Sequence, residues 1–368
     1  MKFSKHDVIL ENWKYMCGGS ALIVVLWVIG ILSVLTWSFA FDAHIESRIT
    51  SFYKNRIKAQ YLARSGIEIA EMLILRSEEI QKTTLRPTGE EEERKARWNE
   101  YARNIADGLP VRGLKEKLGA GFVIVDIVPE PSRRNINRLG DTEAEKKENL
   151  ERILEVAGVP EEKWSSLIDS FLDWTDPDDV QRAEGAESDF YLNFEEKPYR
   201  AKNGPLDTVD ELLMIKGFSR VIVEGGILRE NEEDEGVELT GLQDLLTTYG
   251  DGKVDINAVS DRVLKTIPGI DDVLAGAILE EREGFVNSEG KRQRAPFKSV
   301  DDLYTRVPGL PVSARKWLTT GSSVYRIVSE GRIHGISKRI SCIARKTDPA
   351  MRQVKGGGLV ILRWIEEG

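Results

Sequence analysis

An uncharged apolar run near the start of the chain constrains its fold more than any other feature. Ala21 to Phe41 contains no charged residue. A helix of this length covers roughly 30 Å, which is the thickness of a bilayer core. The run is longer than the apolar core of a cleaved secretory signal, and Ser38-Phe39-Ala40 is a poor cleavage site. A single-pass anchor and the stem of a larger assembly both remain open.

The charges before this run set its orientation. Three lysines precede it and are partly offset by Asp7 and Glu11. Because an excess of basic residues stays on the cytoplasmic side, this bias keeps the N-terminus in the cytoplasm and sends the remainder of the chain across the membrane.

The remaining composition excludes several classes of protein. The chain has 368 residues and a formal net charge of −9, which argues against a general nucleic-acid or anionic-lipid binder. Its length suits two or three domains. The two cysteines, Cys17 and Cys342, do not make a disulfide framework. Three scattered histidines exclude a His-rich metal cluster and leave no motif for a Ser-His-Asp site.

The apolar run continues into an amphipathic pattern. Its apolar positions recur at four-residue spacing: Ile45, Ile49, Tyr53, Ile57 and Tyr61. The first proline after the run is Pro87. We therefore predict one long helix from about Ala21 to Leu85. Its second half is expected to pack on the protein's own sheet, where Gly66 and Ala70 allow a close approach.

The predicted sheet is split along the chain. "FVIVDIV" (122–128) indicates a buried strand, and a charged helix is expected before it at 89–105. Alternating segments at 323–346 and 358–368 indicate further strands. The prediction is an α+β fold in which a small antiparallel sheet covers the second half of the long helix. A large all-helical domain is inserted at 135–318.

The inserted domain repeats itself. "RNINRL" at 134–139 corresponds to "VDINAV" at 254–259, and "VDEL" at 209–212 corresponds to "VDDL" at 300–303. Glycines follow the same order: Gly158 matches Gly269, and Gly217 matches Gly309. We predict two copies of one helical unit, at about 135–219 and 254–311.

Part of the second repeat resembles a helix-hairpin-helix, which raises DNA binding as an alternative. In such hairpins the backbone N–H groups of a glycine turn contact a phosphate. Here the turn reads "PGID", and carboxylates surround it at Asp271, Asp272 and Glu280. Repulsion from a phosphate backbone favours a purely structural hairpin.

An acidic stretch is present in the first repeat and missing from the second. Seven carboxylates lie between Asp173 and Asp189. Closely spaced oxygen ligands on a flexible segment suit Ca²⁺ better than Mg²⁺, which requires stricter geometry. The spacing is not that of an EF-hand, and from spacing alone a solvated acidic loop is the favoured interpretation.

Two stretches carry a resemblance to a known family. Gly18-Gly19-Ser20-Ala21 resembles the end of a type IV prepilin leader. "FLDWTDPDD", "EGAESDFY" and "KPYRAKNGPLDTVDELLMIKG" resemble the signature of the K-type minor pseudopilins of the type II secretion system. Pseudopilins of other types carry a glutamate at mature position five. This chain has Val24 there, and lack of the glutamate is typical of the K type.

The resemblance implies a set of functional residues and domains. Cleavage is expected between Gly19 and Ser20, by a prepilin peptidase that in the family also methylates the new N-terminus. The implied domains are a leader (1–19), a transmembrane segment (20–41), the rest of the stem with the first strand (42–134), the helical insertion (135–318) and the last strands (319–368). The carried-over calcium ligands are Asp176, Asp178, Asp179, Glu187 and Asp189.

The implied function is structural, with no catalytic residues. A K-type subunit is expected to initiate and cap the pseudopilus tip and so support export of folded proteins across the outer membrane. Its implied partners are the I- and J-type minor pseudopilins, the major pseudopilin, the prepilin peptidase and the inner-membrane assembly platform, with no nucleic acid. The expected location is the inner membrane, with most of the chain in the periplasm. The alternatives are a membrane-anchored periplasmic protein whose hairpins bind DNA or another partner, and a membrane-anchored enzyme or receptor that uses the acidic loop.

Overall fold

A single helix, α1, runs from Lys5 to Arg76 in the computed structural model, which describes residues 5–78, 90–229, 236–286, 292–347 and 358–367. Its segment 21–41 is exposed throughout, and within the described part of the chain α1 is the helix long and apolar enough to span a membrane. The predicted span of Ala21 to Leu85 is corrected at both ends. Just after its end, the Ser77 hydroxyl donates to the Ile74 carbonyl at 2.7 Å and so satisfies a carbonyl of the last turn. Residues 79–85 lie outside the described ranges.

Beyond α1, the described residues form nine shorter α-helices and thirteen strands. The helices are α2 (Glu90–Ala106), α3 (Glu143–Ala157), α4 (Trp164–Thr175), α5 (Ser188–Leu192), α6 (Arg220–Glu224), α7 (Leu242–Leu245), α8 (Asp261–Lys265), α9 (Asp272–Glu283) and α10 (Val300–Arg306). The strands are β1 (Val111–Leu118), β2 (Gly121–Pro129), β3 (Arg134–Asn135), β4 (Gly226–Leu228), β5 (Val237–Leu239), β6 (Leu246–Thr247), β7 (Val254–Asp255), β8 (Phe285–Val286), β9 (Arg292–Gln293), β10 (Leu318–Thr319), β11 (Val324–Ile333), β12 (Ile336–Lys346) and β13 (Leu359–Glu367).

The main sheet is antiparallel, with strand order β1-β2-β11-β12-β13. The predicted strand at 122–128 is β2, and the predicted C-terminal strands are β11, β12 and β13. Strand β1 was not predicted, because Val111 and Leu114 are its only buried residues and the pattern lacks alternation. The α+β fold with a split sheet is confirmed.

Small residues on α1 allow the helix to pack closely against this sheet. Ala59, Ala63 and Ala70 are fully buried on the packed face of the helix. A Cβ on Gly66 would overlap the Ser329 hydroxyl and come within 2.6 Å of Val123. The close approach expected at Gly66 and Ala70 is therefore present, and larger side chains there would push the helix off the sheet.

The inserted domain is connected to one end of the sheet. It lies between β2 and β11, which are neighbours, and Pro129 pairs with Tyr325 where the chain departs and returns. At the opposite end of these strands, Leu62 of α1 lies against Gly121 and Gly331. The insertion therefore sits at the C-terminal end of α1, away from its apolar half.

The insertion is built from the predicted repeats, with one correction to its all-helical description. Within the described ranges it also contains four two-stranded pieces. Two of them close the repeats: β3 pairs with β6 in parallel, and β7 pairs with β10 in parallel. Each repeat is thus closed by a short parallel pair that extends it to Thr247 or Thr319, beyond the predicted ends at about 219 and 311. A sequence pattern of two residues does not reveal such pairs.

Equivalent residues of the two repeats make equivalent contacts. Asn137 exchanges two hydrogen bonds of 2.9 Å with the backbone of Leu206, and Asn257 exchanges two of 2.9 Å with the backbone of Phe297. The matched glycines also agree, with φ of 80° and 82° at Gly158 and Gly269. A positive φ strains residues with a Cβ, which is why glycine recurs at this turn.

A buried network fixes the insertion to the sheet. The Glu130 carboxylate is fully buried and accepts from the Thr247 hydroxyl at 2.6 Å and from Arg326 at 2.9 and 2.7 Å. Asn257 donates to the Asp107 carbonyl at 2.9 Å, which joins the second repeat to the end of α2. Both repeats are therefore tied to the sheet domain through buried polar groups.

Candidate metal centre

The acidic stretch forms an ordered loop at the end of α4. Asp173, fully buried, accepts from the backbone N–H of Arg182, and Asp169 accepts from that of Glu184 at 3.2 Å. A Cβ on Gly185 would overlap the Asp173 carboxylate, so only glycine fits where the loop passes that side chain. The loop is therefore held by two carboxylates of α4: Asp173, which the prediction placed in the acidic stretch but not among its ligands, and Asp169, which it did not include.

Three of the predicted ligands come together in this loop. One carboxylate oxygen each from Asp176, Asp178 and Glu187 lies within 4.8 Å of the other two. Glu187 is 4% exposed, and neither of its side-chain oxygens has a hydrogen-bond partner. The buried Oδ1 of Asp176 also lacks one. Buried, unpaired carboxylate oxygens are costly unless a cation neutralises them, so this donor set fits a hard divalent cation.

Burial and the neighbouring carboxylates also change the pKa of Glu187. Burial raises the pKa of its carboxyl to about 7, and the neighbouring carboxylates Asp173, Asp176, Asp179 and Asp178 add to the rise. A carboxyl that is half-protonated near neutral pH can exchange its proton for a metal ion.

An arginine inside the loop neutralises part of the negative charge. Arg182 donates to Asp173 at 2.7 Å and to Asp176 at 2.6 Å, and it reaches Glu143 of α3 at 3.1 Å. Burial alone would lower the pKa of Arg182, but these three carboxylates outweigh it and raise the pKa above its usual range. Sequence analysis missed this role, although a lone arginine within an acidic run is a signal for it.

The other two predicted ligands lie outside the group of three. The Asp179 carboxylate accepts from the Asn203 side chain at 3.1 Å. Asp189 is exposed in the first turn of α5. The structure therefore brings together Asp176, Asp178 and Glu187, and it does not place Asp179 or Asp189 with them.

An aromatic cluster supports the far side of the loop. Tyr191 of α5 is fully buried, meets Trp174 of α4 edge-on at 5.2 Å and stacks on Tyr199 at 5.2 Å. The Tyr199 hydroxyl donates to the Met214 carbonyl at 2.7 Å. These contacts order the segment that returns from the acidic loop, so the carboxylates are held by packed neighbours on both sides.

The residues of the expected cleavage site, and the residue at mature position five, lie on α1. Gly19 and Ser20 fall within the helix, and Val24 is 60% exposed on its apolar segment. Cleavage between Gly19 and Ser20 stays a prediction.

The hairpin expected to contact DNA in the alternative interpretation is used for packing. Gly269 has φ of 82°, and a Cβ there would come within 2.6 Å of Pro311 at the end of the same repeat. Asp271 caps α9 by accepting from Leu274 at 2.9 Å, and both Asp271 and Asp272 are exposed. The turn presents carboxylates to solvent, which disfavours a phosphate ligand.

Comparisons with known proteins agree with this architecture. Residues 132–225, which include the acidic loop, match the family described as Type II secretion system (T2SS), protein K. A comparison with curated protein sequences finds no match. Among solved structures, the fold resembles a chain of the GspK-GspI-GspJ complex from the enterotoxigenic Escherichia coli Type 2 Secretion System. The TM-score is 0.56 at 14% identity, over 88% of this chain and 99% of that one. The resemblance to the K-type proteins of the type II secretion system is therefore confirmed by the family match over residues 132–225, and the solved chain shares its fold with most of this chain.

Proposed function

We propose that this chain is a minor pseudopilin that initiates and caps the pseudopilus of a type II secretion system. The observation that carries the proposal is the position of the insertion. It sits at the C-terminal end of α1 and is fixed there by Glu130, Thr247 and Arg326. A wide domain held rigidly above a slim stem blocks the site on which a further subunit would stack.

The stem supports insertion in the inner membrane. The exposed segment 21–41 suits a bilayer, and the apolar side chains that follow on α1 are also exposed: Ile45, Ile49, Phe52, Tyr53, Ile57 and Tyr61. Exposed apolar rows of this length are covered by partners in most proteins. We infer that neighbouring pseudopilin helices cover them in the assembled fibre, with the insertion in the periplasm.

The similar complex suggests which subunits these are. That solved complex joins GspK with GspI and GspJ. We propose that the corresponding I- and J-type minor pseudopilins bind this chain, and that it meets the major pseudopilin and the assembly platform when the fibre grows. The role proposed is structural and not enzymatic.

Processing by prepilin peptidase is part of the proposal. The leader would be removed between Gly19 and Ser20 and the new N-terminus methylated. N-terminal sequencing and intact mass of the chain extracted from membranes test this: Ser20 at the N-terminus supports it, and an intact Met1 contradicts it.

The acidic loop is proposed to bind Ca²⁺ through Asp176, Asp178 and Glu187. When bound, the ion supplies positive charge to oxygens that lack other partners. Arg182 and the α4 carboxylates hold the loop in position. We expect the site to stabilise the insertion and not to carry out chemistry.

A deletion strain tests the central role. We expect deletion of the gene to reduce both pseudopili and secretion of a folded exoprotein, and the full chain supplied in trans to restore both. Overproduction should shorten pseudopili, because caps compete with elongation. Unchanged secretion and fibre number after deletion would contradict the proposal.

A further inference from the structure

The guanidinium of Arg182 lies among three carboxylates that come from separate elements of the insertion. Its Nη1 donates to Asp173 of α4 at 2.7 Å and to Asp176, just after α4, at 2.6 Å. Its Nε and Nη2 donate to the two oxygens of Glu143 in α3 at 3.5 and 3.1 Å. The two shorter distances are close to those of calcium–oxygen bonds, about 2.3–2.6 Å. The guanidinium therefore occupies a position that would suit a divalent cation if the arginine were removed.

Arg182 uses both oxygens of Asp173. This fully buried carboxylate also accepts from the backbone N–H of Arg182, at 3.3 Å to Oδ1 and 3.2 Å to Oδ2. The loop backbone passes over the carboxylate at Gly185, where a Cβ would overlap it. Asp173 is therefore unavailable to a metal ion while Arg182 stays in place.

Asp176 divides its two oxygens between Arg182 and the group of three carboxylates. Its Oδ2 accepts from Arg182, whereas its buried Oδ1 has no hydrogen-bond partner. Asp178 and Glu187 complete the group, and both oxygens of the 4%-exposed Glu187 also lack hydrogen-bond partners. The oxygen of Asp176 that is free to bind an ion is therefore Oδ1.

We propose that Arg182 is a built-in cation that limits the acidic loop to one calcium ion and leaves Asp176 as a one-oxygen ligand of that ion. This inference rests on the proposed calcium binding and names what sets the number of ions. Arg182 is a positioning residue, since it acts through Asp176 and does not bind the ion. Its positive charge opposes a second divalent cation nearby, and its hydrogen bonds occupy the oxygens of Asp173 and Glu143 that such a cation would need.

Removing the guanidinium should therefore create a second calcium site. Arg182→Ser frees Glu143, Asp173 and the Oδ2 of Asp176, and the small hydroxyl leaves space for an ion with water. Because a buried carboxylate without a counter-charge is costly, the vacated position should attract a divalent cation. Arg182→Lys is the matched control: it keeps a positive charge beside Asp173 and Asp176 and should not add a site.

Equilibrium dialysis against radioactive calcium counts the ions on the full chain in detergent, after bound metal has been removed with EDTA. We expect one ion on the unmodified chain, one on Arg182→Lys and two on Arg182→Ser. Weak binding by exposed carboxylates contributes equally to all three chains, so the difference between them is the quantity measured. Equal counts for Arg182→Ser and the unmodified chain would overturn the inference and leave calcium binding standing. An unmodified chain without bound calcium would remove both.

A structure of the unmodified chain with calcium bound provides a second test, which decides the matter even if Arg182→Ser does not fold. The ion should contact Oδ1 of Asp176, with Arg182 still within hydrogen-bond distance of Oδ2. A second ion in the loop, or a single ion that displaces Arg182 from Asp176, would overturn the inference.

Discussion

Asn135 and Asp255 occupy the same position in the two repeats, and only one of them is fully satisfied. Each accepts a hydrogen bond from the backbone two residues ahead, at 2.9 Å from Asn137 and at 3.0 Å from Asn257. The Asn135 amide also donates to the Gly250 carbonyl at 2.9 Å. Asp255 is fully buried and its Oδ2 has no hydrogen-bond partner.

This difference predicts a pH-dependent stability. Burial raises the pKa of Asp255 to about 7 from an ordinary 3.8, against smaller lowering effects of the Asn257 N–H and of Arg282. Because the folded state favours the protonated form, its stabilisation is complete below pH 4 or so and is lost as pH rises towards 7. Asp255→Asn should flatten this part of the profile and stabilise the protein at pH 8 by roughly 1–3 kcal/mol.

Thermal unfolding between pH 4 and 8 measures the effect, as the difference between variant and unmodified chain. The reciprocal change, Asn135→Asp, is the control and should lower Tm at pH 8. Parallel pH profiles for Asp255→Asn and the unmodified chain would contradict the assignment.

Calcium should stabilise the insertion through Glu187. Because burial and neighbouring carboxylates raise the pKa of Glu187 to about 7, the metal-free chain is destabilised above that pH. Glu187→Gln should therefore raise Tm without calcium and abolish the further rise that calcium gives the unmodified chain. Below pH 7 or so, apparent calcium affinity should fall towards tenfold per pH unit, since the ion must displace a proton.

Calorimetry with EDTA and with added calcium tests these outcomes. Glu184→Gln is the matched control, because Glu184 is exposed and outside the group of three. An EDTA-insensitive Tm in the unmodified chain would remove the calcium site from this account.

The junction between sheet and insertion should depend on a buried ion pair. Arg326→Ala removes both arginine hydrogen bonds from the fully buried Glu130 and leaves Arg133, at 3.7 Å, as its nearest cation, so it should cost about 3 kcal/mol, the lower end for a broken buried ion pair. Arg332→Ala removes a partner of Glu330 at the surface and should cost less than about 1 kcal/mol. Urea unfolding compares the two. Equal losses would show that the buried pair does not secure the junction.

Replacing each of two helical glycines with alanine should change the stability of the protein in opposite directions. Gly66→Ala introduces a Cβ into Ser329 and Val123 and should destabilise the sheet domain by about 1–3 kcal/mol. Gly276 of α9 has open space around its Cβ position, so Gly276→Ala should stabilise by up to about 1 kcal/mol. Thermal unfolding of both variants provides the check, and a neutral Gly66→Ala would contradict the close packing of α1.

Sequence patterns predicted the elements whose signals are long or repeated. The apolar run and the four-residue spacing indicated α1, and glycines at equivalent positions, such as Gly158 and Gly269, revealed the duplication. Short or charged elements gave no such signal. Strand β1 buries only Val111 and Leu114, and the parallel pairs that close the repeats have two residues a strand.

The candidate site was predicted in composition but not in arrangement. Clustered acidic residues indicated a cation, and three of the five named ligands do meet. Spacing could not show that Glu187 is buried without a partner, or that Arg182 pairs with Asp173 and Asp176. Those relationships depend on how α4 and α5 fold the loop back, which tertiary packing decides.

Immunogold labelling of the insertion on pseudopili tests the central claim most directly. An antibody against the folded insertion should label one end of each fibre, since the insertion prevents further stacking above it. Label distributed along the shaft would contradict a capping role.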